Sequence, residues 1–321
     1  MGSVFNLSPH SPRAQKLVTG TLKARYENPT ERARLFLFDY DGTLTPIIND
    51  PNKAIPTKLA LDTITKLAEP ENNAVWIISG RDAEFLKKHW GHIAGVGLSA
   101  EHGCFVRQPH ASEWTTLVSQ EELDKWQPTV RSLFRRYSSP PSDSEIPDLK
   151  DYNPADYHSL CPGSRSEEKR SALTWHYRNA EGYEEDKPFP KEQELMAELK
   201  EKVKGLDVTI MPGKANIEVR PSGVSKGDIV RLICQKHGRE TGVEFVVCCG
   251  DDTTDEDMFH ALSHLSTPTS PVGDTGVVPP TVHVSGKDVF SIHVGPAGSK
   301  TDARFYIESP AELVETISAL V

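Results

Sequence analysis

The chain has 321 residues, 37% hydrophobic and 26% charged, the composition of a folded globular protein with room for one large or two ordinary domains. Its net charge is −10 and its pI is near 5.7. Such a surface has no electrostatic footprint for nucleic acid or an anionic membrane, and an anionic substrate would need local basic residues. No apolar run reaches membrane-spanning length, and the opening "MGSVFNLSPHSPRAQ" lacks the apolar centre of a signal peptide. Five cysteines (Cys104, Cys161, Cys234, Cys248 and Cys249) are an odd number without metal-ligand spacing. Buried thiols in a reducing compartment, the cytoplasm, are expected.

The first strand is expected at Arg34 to Phe38, within "LFLFDYDGTLTP". A helix follows over Thr57 to Ala68, with Leu59, Ile64 and Leu67 near one face. The run "AVWIISGRD" reads as a buried parallel strand. Ala83 to Trp90 reads as a helix, and "GVGLSAEHG" as a strand with its exit loop. This β-α-β-α-β rhythm predicts an α/β fold, a doubly wound, Rossmann-like parallel sheet.

The rhythm then breaks. Strand-like "CFVRQ" and "EWTTLV" precede a helix over Glu121 to Tyr137, strand "SALTWHYR" and a helix over Lys191 to Val203. The stretch "DVTIMPGKANIEVRP" predicts a hairpin turning at Pro212-Gly213. Between them, Ser138 to Arg170 is rich in Pro, Ser and charge and reads as a long surface excursion. Trp175 and Tyr177 fit the core of this segment. From Ser225 the α/β rhythm returns: a helix over Lys226 to His237, strand "EFVVCCGDD", a helix over Glu256 to Leu262, and short strands near Thr281 to Val284 and Phe290 to Val294. The expected division is a core from 1–103 and 222–321 with an inserted α+β cap at 104–221.

Three of these strands end in polar residues: Asp39 and Asp41 after "LFLF", Ser79-Gly80-Arg81 after "VWII", and Asp251, Asp252 and Asp255 after "FVVCCG". Alone, Asp39 and Asp41 would also suit a solvated turn. In a doubly wound sheet, however, ligands gather outside the carboxyl ends of strands. Five carboxylates at one edge must be protonated or share a cation. An all-oxygen donor set selects a hard ion, Mg²⁺ first. Lys226 at a helix start and the Ser79 hydroxyl suit a phosphate. A carboxylate nucleophile with a divalent cation, a lysine and a serine describes phosphoryl transfer.

"DYDGT", "SGR", "SKG" and "GDDTTDE", in this order, resemble the four motifs of the haloacid-dehalogenase-like phosphatases. The resemblance implies that Asp39 is the nucleophile forming an aspartyl-phosphate, and that Asp41 protonates the leaving oxygen and then activates water. It implies that Asp39, the backbone carbonyl of Asp41, and Asp251 bind Mg²⁺, with Asp252 or Asp255 behind them. Ser79 and Lys226, together with Thr43 and Gly80, would hold the transferring phosphoryl group. Arg81 is either a phosphate ligand or a helix-start cap, the second being favoured.

"SAEHGCFVR", "LTWHYRNA" and "PGKANIEVRP" look like the trehalose-6-phosphate phosphatases, especially the phosphatase portion of fungal trehalose enzymes. That resemblance implies hydrolysis of trehalose 6-phosphate, the last step of trehalose biosynthesis. Glu101, Arg107, Lys214, Asn216 and Glu218 would then hydrogen-bond the sugar hydroxyls, with His102 divided between sugar contact and a locally satisfied loop histidine. Lys214 and Glu218 would alternatively form a surface cross-strand pair. A trehalose-6-phosphate synthase is the expected protein partner, although no glycosyltransferase-like portion occurs in this sequence. The alternatives are a sucrose-phosphate phosphatase, a phosphohexomutase, or a non-catalytic regulatory subunit. The last typically lacks a nucleophile or metal carboxylate, and here every motif residue is present.

Overall fold

The computed structural model describes residues 13–48, 53–142, 151–240, 242–265 and 286–321. After β1 (Gln15–Lys16) and α1 (Thr19–Tyr26), the apolar run of β2 (Ala33–Phe38) enters a sheet that buries both of its faces. Thr57 then caps α2 (Lys58–Leu67), its side chain accepting from the Ala60 amide. Leu59 stays 46% exposed, because the buried stripe of α2 runs through Ala60, Thr63, Ile64 and Leu67. β3 (Asn73–Ile78), α3 (Ala83–Trp90), β4 (Val96–Ala100), β5 (Phe105–Arg107) and β6 (Thr115–Thr116) follow.

A second group comprises α4 (Gln120–Asp124), α5 (Gln127–Tyr137), β7 (Arg165–Glu168), β8 (Leu173–His176), α6 (Pro190–Lys202), β9 (Val208–Gly213) and β10 (Asn216–Pro221). The chain closes with α7 (Lys226–Glu240), β11 (Val243–Gly250), α8 (Glu256–Leu265), β12 (Val289–Val294), β13 (Phe305–Ile307) and α9 (Pro310–Ser318). The strand expected near Thr281 to Val284 lies outside the described residues.

The chain divides into two compact units, one running up to Thr115 and again from Ser225, the other spanning Thr116–Val224. The larger unit carries a sheet of order β1-β13-β12-β11-β2-β3-β4-β5-β6. From β1 to β4 every pairing is parallel, and β5 joins antiparallel. One face carries an aromatic row, Tyr26, Phe36, Phe245, Phe290 and Phe305, with successive ring centroids 5.4–5.8 Å apart. On the other, Leu35, Leu37, Val246 and Cys248 join Ile229, Val230 and Ile233 of α7 and Met258 and Phe259 of α8 in one buried cluster.

The boundary expected at 104 moves. Ala100 pairs with Phe105 and Leu98 with Arg107, so "CFVR" returns along β4 in the large sheet. Pairing after so short a turn brings β5 back beside the strand it follows.

The smaller unit has a sheet of order β7-β8-β10-β9. Leu173, Trp175, Ile217 and Val219 are buried, and Trp175 and Tyr177 pack with Tyr137 and Phe189. Three expectations change here. The helix over Glu121 to Tyr137 is broken at Trp126 (φ −130°), because Pro128 lacks an amide donor and must begin a new helix, α5. The hairpin turns at Lys214-Ala215 rather than Pro212-Gly213. Pairing Ile217 with Pro212 and Val219 with Ile210 keeps the apolar residues in register, and Ala215 takes the positive φ (63°) of the two-residue loop. Finally, the Ser138–Arg170 excursion contributes a strand, β7, paired with β8.

Candidate active site

From β2 the chain moves through β3 to β4 on one side, then returns to β11 on the other. The carboxyl ends of β2 and β11 therefore flank the reversal point where open α/β sheets bind ligands. Asp39 follows β2 directly and its amide donates to the Cys249 carbonyl of β11 (2.9 Å). The next turn closes on the Tyr40 carbonyl, which accepts from the amides of Thr43, Leu44 and Thr45 at 3.3, 2.9 and 3.1 Å. Gly42 takes φ +81°, and a Cβ built there would overlap the Asp251 carboxylate. Thr43 Oγ1 donates to Asp251 Oδ1 (3.4 Å).

Lys226 opens α7. Reciprocal capping between Ser225 and Asp228 starts that helix: the Ser225 amide donates to Asp228 Oδ2 (2.9 Å) and the Asp228 amide to Ser225 Oγ (3.3 Å). The buried Lys226 ammonium sits 2.7 Å from Asp39 Oδ1 and 2.7 Å from Asp255 Oδ1. Asp255 Oδ2 accepts from the amides of Asp251 (2.8 Å) and Asp252 (3.0 Å). Asp252 Oδ1 accepts from the amide and hydroxyl of Thr254, both at 2.7 Å.

Burial pushes Asp39 well above the usual carboxylate range; Asp255 adds to the push and Lys226 opposes it. Burial and the charges of Asp255 and Asp252 move Asp251 to about 7. Asp255 is raised by burial, against the pull of Lys226. Asp252 is held low despite burial, by the Lys226 charge and the bonds from Thr254. Burial disfavours the Lys226 ammonium, yet Asp255 and Asp39 outweigh it and hold its pKa well above normal. A second cation would relieve the remaining repulsion. Asp39, Asp251 and Asp255 each offer an oxygen, all within 4.8 Å of one another. Among the described residues this all-oxygen set fits a hard divalent ion.

Asp41 points to a different partner. Arg81 Nε donates to its Oδ2 (2.7 Å) and Nη2 to its Oδ1 (2.6 Å). Arg81 also lies over the Phe85 ring, 4.3 Å from the centroid. The expectation of Arg81 as a helix cap fails, since Asp82 caps α3 by accepting from the Phe85 amide (2.8 Å). Ser79 Oγ accepts from the Arg81 amide (3.1 Å). Glu101 and His102 sit in a turn with φ of 47° and 56°, their amides donating to the carbonyls of Arg81 and Ser79 at 2.9 Å each. His102 packs over Gly80, whose missing Cβ leaves the space for its ring.

Asp39, Asp41, Thr43, Ser79, Gly80, Glu101, His102, Lys226, Asp251, Asp252 and Asp255 thus gather at one sheet edge. Arg107 does not. Its Nη1 and Nη2 donate to the carbonyls of Gly91 (3.1 Å) and Val96 (3.3 Å), tying the end of α3 to the start of β4. Arg107 therefore leaves the sugar-binding set.

In the smaller unit, Glu167, Thr174, Glu218 and Met211 lie in register across the sheet, as do Arg165, His176, Asn216 and Gly213. Glu218 meets Thr174 Oγ1 (3.4 Å) and Lys169 Nζ (3.8 Å). Glu167 meets His176 Nε2 (2.7 Å). Lys214 is 77% exposed in the turn and pairs with Glu185 (3.3 Å) rather than Glu218. Sequence reasoning passed over Glu167, Lys169 and His176. Alternate polar positions in "RSEEK" and "LTWH" were the signal available.

The doubly wound sheet with its second α+β unit is the fold of solved haloacid-dehalogenase-like hydrolases, one of them from Bacteroides thetaiotaomicron, 13% identical with TM-score 0.57 over 90% of this chain. The family model described as trehalose-phosphatase matches residues 37–148 and 155–291, and the chain belongs to that family. A trehalose-phosphatase of Schizosaccharomyces pombe is 39% identical over 288 residues, covering 89% of this chain and 30% of that protein. A Candida albicans trehalose-6-phosphate phosphatase C-terminal domain is 37% identical, with TM-score 0.73 over 96% of this chain and 98% of that one. An Aspergillus fumigatus trehalose-6-phosphate phosphatase is 39% identical, with TM-score 0.64 over the same shares. The chain spans about a third of the length of the curated relatives it matches. Among the described residues no helix is long and apolar enough to cross a membrane.

Proposed function

We propose that the chain is a Mg²⁺-dependent phosphatase that hydrolyses trehalose 6-phosphate to trehalose and phosphate. The observation that carries this reading is the Lys226 ammonium held 2.7 Å from both Asp39 and Asp255 at the reversal point of the sheet. It keeps Asp39 in place for attack and puts positive charge where phosphoryl oxygens gather. Asp39 Oδ would bond to phosphorus as the ester oxygen leaves. Asp41, with one oxygen released from the Arg81 fork and protonated from solvent, would give that proton to the leaving oxygen and later take one from the water that attacks the aspartyl-phosphate.

Ser79, Thr43, Gly80 and Lys226 would hold the phosphoryl oxygens. Asp39, Asp251 and the backbone carbonyl of Asp41 would hold Mg²⁺, with Asp255 behind them because Lys226 and two amides engage both of its oxygens. The ion, when bound, supplies charge neutralisation for the phosphoryl group. In the smaller unit, Lys214, Asn216 and Glu218 would read sugar hydroxyls. Within the larger unit, Glu101 and His102 are the proposed sugar contacts.

A trehalose-6-phosphate synthase, which supplies this substrate, is the partner we infer. The five buried thiols suit a reducing compartment, the cytoplasm. Phosphate release from a panel of sugar phosphates, with and without Mg²⁺, tests the reading. Release confined to another sugar phosphate, or none from any, would refute it.

A further inference from the structure

On β10, Asn216, Glu218 and Arg220 alternate with the buried Ile217 and Val219, so Arg220 shares the polar face of the smaller sheet. Arg220 is only 7% exposed, yet its Nε and Nη1 find no hydrogen-bond partner among the described residues. Its register neighbour on β9 is Thr209, which brings no charge. Glu218, two residues away, is engaged with Thr174 and Lys169.

Two other buried cations of this protein are neutralised, while buried Arg107 is held by the carbonyls of Gly91 and Val96 instead. Arg135 lies 2.7 Å from Glu168, and Lys226 lies 2.7 Å from each of two aspartates. A desolvated guanidinium without a counter-ion is costly to retain, and a water molecule could satisfy its donors without neutralising the charge. A planar fork of donors suits a tetrahedral oxyanion.

We infer that Arg220 is an anion receptor of the smaller unit, and that the group it takes is a phosphoryl group. The choice of anion rests on the phosphatase reading above. The site itself rests on the buried guanidinium whose Nε and Nη1 have no partner among the described residues. The source we assign is free inorganic phosphate, because the substrate's own phosphoryl group is proposed above to sit with Ser79, Thr43, Gly80 and Lys226.

The test uses the full chain as wild type, Arg220→Gln and Arg220→Lys. Binding of inorganic phosphate and of neutral trehalose is measured by calorimetry, melting temperature is followed in the absence of both, and KM and kcat are taken for trehalose 6-phosphate. Arg220→Gln should weaken phosphate binding about tenfold or more, the scale of one lost charge-assisted hydrogen bond. Trehalose binding should hold and the unliganded melting temperature should not fall. Arg220→Lys should recover part of the phosphate affinity. KM and kcat for trehalose 6-phosphate should both stay unmoved, and a raised KM at unchanged kcat would overturn the assignment to free phosphate.

Unchanged phosphate affinity in Arg220→Gln overturns the proposal, as does equal loss of phosphate and trehalose binding. If the Gln variant does not fold, wild-type phosphate affinity in Arg220→Lys overturns it in the same way. Phosphate binding needs no turnover, so failure to hydrolyse trehalose 6-phosphate would sink the phosphatase reading and leave this test intact.

Discussion

Arg81 grips Asp41 with two parallel hydrogen bonds, Nε to Oδ2 at 2.7 Å and Nη2 to Oδ1 at 2.6 Å. This fork fixes the plane of the carboxylate proposed to handle the proton of the leaving group. Arg81 is itself stacked over Phe85 and anchored through its backbone to Ser79 and Glu101. Because the fork engages both oxygens, one must leave Arg81 before Asp41 can carry a proton to the ester oxygen, while the other keeps the carboxyl oriented.

Arg81→Ala should lower kcat/KM for the sugar phosphate by about ten- to a hundredfold, since a hydrogen bond to a charged group contributes about 1.5–3 kcal/mol. Arg81→Lys should recover only part, because an ammonium cannot reproduce the fork. Steady-state kinetics on both variants checks this, and full activity in Arg81→Ala would remove the positioning role.

Asp39→Asn should reduce turnover to background while leaving the melting temperature unchanged or raised. The amide cannot form the acyl-phosphate. It also removes one charge from a buried cluster in which Asp39 is already pushed well above its ordinary range by burial and Asp255. Wild-type turnover in the purified variant would end the nucleophile assignment.

Gly42→Ala should act on the metal requirement more than on stability. Its φ of +81° costs about 1–2 kcal/mol for a residue with a Cβ. The added methyl would overlap the Asp251 carboxylate, a side chain that can rotate away, so the displacement falls on the proposed ion site. The divalent-ion concentration for half-maximal activity should rise about tenfold or more, the scale of a displaced charged ligand contact. An unchanged metal titration would contradict the placement of Asp251.

The strand ends that carry the site were legible because parallel strands buried on both faces read as unbroken apolar runs. "LFLF", "VWII" and "FVVCCG" each stop at a polar residue, and the sheet brings those stops together. Arg81's partner was not legible, since adjacency to Ser79 and Asp82 says nothing about where a long side chain reaches. Arg107 misled for the same reason: its strand runs beside the site while its guanidinium reaches back to Gly91 and Val96. β7 was hidden because "RSEE" has no apolar alternation to mark a strand. The helix α9 was signposted and passed over. Ser309 caps it, Pro310 begins it, and the Glu312 amide donates to the Ser309 hydroxyl.

Acid stability should report the smaller unit. Burial raises the Glu167 carboxyl, but the hydrogen bond from His176 and the charges of Lys169, His176 and Arg165 prevail and hold it at about 2. A folded-state value below the unfolded one means stability that is complete above the ordinary value of 4.5 and lost as pH falls toward 2. The side chain is 36% exposed, so solvent screening trims the size of the effect. Denaturant midpoints of wild type and Glu167→Gln should converge between about pH 5 and about pH 2. A constant gap across that window would contradict the pairing.

The most direct measurement of the central claim is release of inorganic phosphate from trehalose 6-phosphate, with Mg²⁺ and with excess chelator, in wild type and Asp39→Asn. Saturable release by the wild type with Mg²⁺, abolished by chelator and absent from Asp39→Asn, is the predicted result. Mg²⁺ holds near-octahedral geometry at short distance, so Ca²⁺ should fail to restore what the chelator removes. Release that survives the chelator, or that persists in Asp39→Asn, would contradict a metal-assisted aspartyl-phosphate mechanism at this site.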